Sequence, residues 1–415
     1  MFLSIFLIIA VVYCNENSIL SNEIDEKINE GKNSNNSAPS LLLAQLIWRH
    51  GDRSPFGTYP TNIHGEELWA NGFGGLTEIG MFQQFQLGKL LNSMYINSPT
   101  PLLSKKYNPK EIYITATDFN RTISSAMCNL AGMFENGEPG KDHPNQVQWP
   151  RGWTPIPVHI TGKNDTSNPS AYCPRSTEIL DEIKNGTEFS KFITDNQELF
   201  NFLSNKTGMK IGIDEVYLIN DVHFIYDLYN MTQPDWFTKD IQKKVLKAAQ
   251  IAEHFLSGVV GEKSNVEYIK LRGGRVLKGI IDRINMKLDC LKKSNSGKEC
   301  DWISNLKYHA FSAHDSTIIA IISTLGSQQK ILGGKIPSYT ASIAFELWDI
   351  PGKGPAVKIL YHNSVNEKYT TITHLIEGCP ETEFCDLKTF QKRSEQFLPK
   401  DIEKECRAQN WVITE

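Results

Sequence analysis

An apolar run, Leu41-Leu42-Leu43-Ala44-Gln45-Leu46-Ile47-Trp48, breaks off into Arg49-His50-Gly51-Asp52-Arg53-Ser54-Pro55. The run reads as a strand buried on both faces of a parallel sheet. A histidine then stands beside two arginines, with a glycine directly after it. Guanidinium forks are permanently charged and match phosphate oxygens. An imidazole nitrogen among them can attack phosphorus. Gly51 is expected to let the backbone approach the anion closely. Five fixed positions of this kind (R-H-G-x-R-x-P) arise by chance in such a chain roughly once in ten thousand. The segment is expected to end a buried strand at an anion site, which decides what to look for in the rest of the chain.

Two further segments share the layout. Glu111–Thr115 runs into Ala116-Thr117-Asp118, and Tyr308–Ser312 runs into Ala313-His314-Asp315. After Asp118, apolar residues at Ile123, Ala126, Met127, Leu130, Ala131 and Phe134 keep helical spacing. Asp118 is the expected N-cap and Arg121 falls in the first turn. After Asp315, Ser316–Leu325 is apolar nearly all round, a buried helix closed by Gly326. His50, Arg121 and His314-Asp315 thus each follow the carboxyl end of a strand, the edge at which open α/β sheets bind ligands. Gly72-Phe73-Gly74-Gly75 lacks the context of a phosphate-cradling loop and reads as a turn.

The middle of the chain differs. Glu178–Phe202, Thr238–Ser257 and Val276–Leu291 carry helical patterns, and strand signals are scarce between Asp165 and Ser304. Strand patterns return at Ser342–Trp348 and Val357–Tyr361. The expected organisation is an α/β domain made of 41–150 and 304–406, with a mainly helical insertion at 151–303. With 415 residues, 40% apolar, 22% charged and a net charge of −4, the composition is that of an ordinary globular protein. No basic excess points to nucleic acid, so the arginine cluster is a local anion site.

Phe2–Tyr13 suits the core of a signal peptide, with residues 1–14 removed and a flexible polar leader over 15–40, and an uncleaved anchor is the rival reading. No later run is long and apolar enough for a transmembrane anchor. Of the eight cysteines, Cys14 leaves with the signal. Cys290/Cys300 and Cys379/Cys385 are spaced for local disulfide loops, without the CxxC arrangement of a zinc site. The odd thiol is assigned to Cys128, which lies in an apolar helical pattern. N-x-S/T sequons at Asn35, Asn164, Asn185, Asn205 and Asn230 agree with export. The sequon at Asn120 abuts Arg121 and is expected to stay unmodified.

Phosphate-monoester hydrolysis needs positive charge on the phosphoryl oxygens, an in-line nucleophile and a proton for the leaving alkoxide. Arg49, Arg53 and Arg121 supply the first and His50 the second. Asp315 supplies the third, with His314 donating to the phosphate. No metal or other cofactor is required by that set.

Arg49–Pro55 resembles the RHGxRxP signature of the histidine acid phosphatases, and Ala313-His314-Asp315 resembles their second, HD motif. Gly72-Phe73-Gly74, Leu76–Gly80, Ala116–Thr122, Trp153–His159 and Gly378-Cys379 extend the likeness over nearly all of Leu41 to Cys406, closest to the animal prostatic and lysosomal enzymes. The resemblance implies a phosphoglycerate-mutase-like α/β sandwich with a helical insertion. It implies His50 as covalent nucleophile, Asp315 as proton donor, and Arg49, Arg53, Arg121 and His314 as phosphate ligands. It also implies Cys173–Cys406 and Cys379–Cys385 bridges. A third family bridge has no cysteines at its places, around Asn220–Asp227 and Ser338–Ala344, and Cys290–Cys300 is expected as a local replacement. Vertebrate members are commonly dimers through the part that Trp153–His159 resembles, so a homodimer is expected.

The leading reading is an exported acid phosphatase of small phosphomonoesters, secreted or lysosomal. A phytase or inositol-polyphosphate phosphatase of the same fold is the alternative, disfavoured because Lys105-Lys106 is the one basic cluster near the motifs. A non-catalytic exported binding or antigenic protein is the other, disfavoured by the intact His50 and His314-Asp315.

Overall fold

The computed structural model describes residues 38–162, 168–260, 263–292 and 297–408. The signal segment, most of the leader, Asn35 and Asn164 lie outside these residues. Along the chain come β1 (Ser40–Arg49), α1 (Glu78–Tyr95), β2 (Ile112–Thr117), α2 (Asn120–Met133) and β3 (His159–Thr161). The helices α3 (Pro174–Lys184), α4 (Thr187–Asp195), α5 (Gln197–Thr207), α6 (Ile213–Leu228), α7 (Lys239–Leu256) and α8 (Arg275–Lys292) follow. The chain returns through β4 (Tyr308–Ala313), α9 (Asp315–Ser323), β5 (Ser342–Ile350), β6 (Gly354–His362), β7 (Thr370–Thr371), β8 (Cys385–Asp386) and α10 (Leu387–Ser394).

One mixed sheet runs in the order β8-β6-β5-β1-β4-β2-β3, with β7 beside β6. The pairs β1–β4, β4–β2 and β2–β3 are parallel, and β5 joins β1 antiparallel. Alternation along β1 sends Ala44, Leu46 and Trp48 to one face and Leu43 and Ile47 to the other. The first set packs with Leu87 and Leu91 of α1 and Ala126 and Leu130 of α2. The second packs with Ile280 and Ile284 of α8 and Ile318 and Ile322 of α9. Gln45, the polar interruption in β1, is buried but satisfied: its Nε2 donates to Ile280 O at 3.0 Å, and its Oε1 accepts from Arg283 Nε at 2.6 Å.

Helices α4 to α7 build a second core of their own, with Phe192, Leu203, Val216, Val222 and Phe255. Two elements inside the span 151–303 instead belong to the sheet. β3 is its parallel edge strand, and α8 covers one face. Their short or amphipathic patterns do not distinguish a cap from a sheet layer; only the partner does. Cysteine sulfurs bond in the pairs Cys173–Cys406, Cys290–Cys300 and Cys379–Cys385, and Cys128 is a free, half-buried thiol. Among the described residues no helix is long and apolar enough to cross a membrane.

Candidate active site

β1, β4 and β2 are neighbours, so their carboxyl ends lie side by side. Arg49 stands opposite Ala313, and the His50 amide donates to Ala313 O at 3.0 Å. This register sets His50 next to His314, with ring centroids 5.6 Å apart. Thr117, at the end of β2, meets His314 from the other side. Asp315 opens α9 and Arg121 lies in the first turn of α2, so both helix N-termini face the same edge.

The His50 ring is buried, and its Nδ1 lies 2.8 Å from Gly51 O. A carbonyl only accepts, so Nδ1 carries the proton and Nε2 keeps its lone pair for attack. Burial, then the charges of Arg49 and Arg53, hold the His50 pKa well below the usual histidine range. The ring therefore stays neutral in acid, as a nucleophile requires.

Arg49 donates through NH1 to Pro337 O at 2.6 Å and through NH2 to Asp315 Oδ2 at 2.9 Å. Its guanidinium lies 4.4 Å over the Tyr339 ring. Thr340, next to that ring, has φ 64°, a left-handed conformation unusual for a β-branched residue. Its amide donates to His50 O at 3.3 Å, which ties this strained turn to His50. Arg53 makes a two-pronged pair with Asp221, both bonds at 2.9 Å. Arg121 has no carboxylate within ion-pair distance among the described residues, and its buried Nε lacks a partner, as does Nε of Arg49. Burial, then the neighbouring Arg53 charge, lowers the Arg121 pKa to about 10. Arg49 and Arg53 are each paired with a carboxylate while Arg121 has none within ion-pair distance among the described residues, an arrangement suited to a phosphate.

His314 Nε2 lies 2.9 Å from Thr117 Oγ1. The Thr122 hydroxyl gives its proton to Thr117 O, at 2.8 Å, or to Phe119 O, at 2.9 Å. The Thr117 hydroxyl donates to Thr122 Oγ1 at 2.9 Å. Thr117 is left to accept, so His314 carries its proton on Nε2, and Nδ1 can donate to an anion only once the ring is protonated. Burial, then Arg121, depresses the His314 pKa to about 4. Asp315 is partly buried, and desolvation disfavours its charge, but Arg49 and then His314 win and hold its pKa below the usual carboxylate range.

All six expected residues, Arg49, His50, Arg53, Arg121, His314 and Asp315, meet at this edge, but two local expectations fail. The N-cap of α2 is Phe119, without a side-chain cap bond, because the Thr117–Thr122 hydroxyl pair closes that turn in place of Asp118. The buried face of the helix is correspondingly rotated, with Met127 50% exposed and Ser125 and Asn129 inside. Gly51 also meets a packing constraint. A Cβ there would lie 2.2 Å from Gly80 O of α1, and its amide donates to Ser125 Oγ at 3.1 Å. Gly72 and Gly74, both at positive φ, form the expected turn, and Gly74 N donates to Pro55 O at 2.7 Å.

Tyr217 and Asp221 of α6 and Tyr339 are site residues that no motif announced. The available signal was Asp221 itself, a carboxylate within the apolar stretch Val216–Tyr226, which burial obliges to find a cation.

The chain belongs to the histidine phosphatase superfamily (branch 2), whose family model matches residues 40–362. It is 30% identical to the lysosomal acid phosphatase of Xenopus laevis over 90% of this chain and 81% of that protein. It is 29% identical to the human lysosomal enzyme, over 89% and 81%. Human testicular acid phosphatase is 30% identical over 86% of this chain and 80% of its own. The fold is shared with the phytase from Citrobacter braakii at TM-score 0.61 and 16% identity, over 88% of this chain and 99% of that one.

Proposed function

We propose that this chain is an exported acid phosphatase that hydrolyses small phosphomonoesters through a phosphohistidine on His50. The observation that carries the reading is a buried, neutral imidazole, its Nδ1 proton committed to Gly51 O, among three guanidinium groups. Arg49, Arg53 and Arg121 bind the phosphate, His314 joins them through Nδ1 once its ring is protonated, and His50 Nε2 attacks in line. Asp315 gives its proton to the leaving oxygen and later takes one from the water that attacks the phosphohistidine. Asp315 is ionised while it holds Arg49. A phosphate that engages Arg49 offsets the positive charge around the carboxyl and lets it gain the proton, which acid favours.

Lys105 and Lys106 line a cavity at the C-terminal end of α1, whereas Thr77 at the opposite end bonds Asp52 of the motif. That placement gives no second phosphate subsite and supports a monophosphate substrate over phytate. Export to a secreted or lysosome-like compartment fits the disulfides and the exposure of Asn185, Asn205 and Asn230 as glycan sites. Asn120 is also exposed, but a sugar there would crowd the pocket, so glycopeptide maps of active enzyme should show it bare. A dimer through the open edge of β3, where Ile160 is 45% exposed, should give twice the monomer mass in light scattering.

The test is kinetic. His50→Ala should abolish p-nitrophenyl phosphate hydrolysis. Asp315→Asn should lower kcat/KM for poor leaving groups such as glycerol phosphate far more than for p-nitrophenyl phosphate. Equal losses for both would remove Asp315 as proton donor.

A further inference from the structure

Tyr217 lies outside every motif, on cap helix α6, yet its hydroxyl donates to Asp315 Oδ2 at 3.2 Å. The same oxygen accepts from Arg49 at 2.9 Å, and Oδ1 accepts from the Ser316 amide at 2.7 Å. Asp221, four residues on and so on the same face of α6, grips Arg53. One turn of the cap thus contacts both the phosphate-binding side and the proton-transfer side of the pocket. The Tyr217 ring is held against Phe56, centroids 5.7 Å apart, which limits where its hydroxyl can go.

We infer that Tyr217 is a positioning residue for proton transfer, orienting the Asp315 carboxyl and stabilising the charge it acquires when it protonates the leaving group. The inference rests on Asp315 being the proton donor. In that step the Asp315 O–H bond breaks, a bond forms from the proton to the leaving oxygen, and the electron pair stays on the carboxylate. A hydrogen bond to an ionised oxygen is stronger than one to a neutral acid. The Tyr217 bond therefore strengthens along the reaction coordinate and lowers the barrier where proton transfer matters most. Burial and the nearby Asp315 charge raise the Tyr217 pKa well above the usual phenol range, so it remains a donor throughout.

Other groups face the carboxyl: Arg49 from β1, Arg53 from the loop after it, Arg121 from α2, His314 beside it and Glu253 from α7. Glu253 has its pKa raised to about 8, by burial first and then by Asp315, so it is neutral in acid and adds no competing charge there. Removing the phenol hydroxyl takes away a donor to the ionised form alone, so the Asp315 pKa rises and the acid form persists to higher pH.

The experiment compares Tyr217→Phe, Tyr217→Leu and Asp315→Asn with wild type on p-nitrophenyl phosphate and glycerol phosphate across pH 4–8. Tyr217→Phe keeps the ring against Phe56. It should lower kcat/KM for glycerol phosphate about 10-fold, the scale of one hydrogen bond to a charged group, and change p-nitrophenyl phosphate much less. The basic limb of kcat, which reports Asp315 with phosphate bound, should move up by about half a unit to one unit, and Tyr217→Leu should move it equally. If Asp315→Asn shows the leaving-group dependence while Tyr217→Phe slows both substrates alike with the limb unmoved, Tyr217 is structural and the inference falls. If Asp315→Asn itself shows no such dependence, the proton-donor reading falls first, and this inference with it.

Discussion

Asp221 decides how Arg53 is used. A guanidinium that has to meet phosphate oxygens at a fixed angle needs its own side chain held, and a two-pronged carboxylate does that. The Phe56 amide, 3.1 Å from Asp221 Oδ2, locks the carboxylate in turn. Breaking one side of a buried ion pair costs about 3–5 kcal/mol, mostly because the other charge is left alone. Asp221→Asn should therefore lower the unfolding free energy in urea by about 3 kcal/mol and raise KM by about 10-fold or more. An unchanged KM would show that Arg53 holds its place unaided. Arg53 was legible from its motif. Its partner was not, because 168 positions of chain separate the two and spacing carries no information over that distance.

At the scale of elements, the pocket depends on how closely α1 approaches the loop after β1. Thr77 caps α1 by accepting from Gly80 N at 3.1 Å, and its hydroxyl donates to Asp52 Oδ2 at 2.5 Å. Tyr229 donates to the same Asp52 oxygen from the end of α6. The backbones then touch: a Cβ on Gly80 would lie 2.0 Å from Asp52 O. Neither backbone has room to retreat, since Gln83 Oε1 and Thr77 both hold Asp52. Gly80→Ala should cost about 1–3 kcal/mol, as overpacking does, and should depress kcat more than Asp221→Asn, because it shifts His50 as well as Arg53. Denaturant unfolding and steady-state kinetics on the purified variant check both parts; full activity would mean that α1 can slide without moving the motif. The strands themselves were readable, since β1, β2, β4, β5 and β6 all carry apolar runs that end in polar punctuation. The cap of α2 was misread because Asp118 has the right chemistry at a position that the Thr117–Thr122 pair already closes.

The whole molecule holds several titratable groups away from water, and they act in opposite directions on stability. His223 and His362 have pKa values lowered to about 4, by burial first, while unfolded histidine titrates near 6.5. Between those values the unfolded chain binds more protons than the fold, so their contribution is intact above pH 6.5 and is lost as pH falls toward 4. Glu253, raised to about 8, does the reverse: its contribution is full below pH 4.5 and is lost as pH rises to 8. Each group changes the unfolding free energy by at most about 1.4 kcal/mol per pH unit within its window. Glu253→Gln should therefore raise Tm at pH 7.5 and leave it nearly unchanged at pH 4.5. Equal shifts at both values would mean that Glu253 does not titrate across this range.

Read alone, the sequence marked the candidate site residues and the strand ends that carry them. Arg49, His50, Arg53, His314 and Asp315 stand in short segments whose residue types permit few other uses. Buried strands advertise themselves locally, through apolar runs of fixed period. Only the tertiary structure decided which of those ends are neighbours, that β3 and α8 serve the sheet while α4 to α7 build their own core, and that α6 brings Tyr217 and Asp221 onto the pocket. Those outcomes depend on contacts between residues far apart in the chain, chosen by packing and by the need of each buried charge for a partner. No local pattern records them.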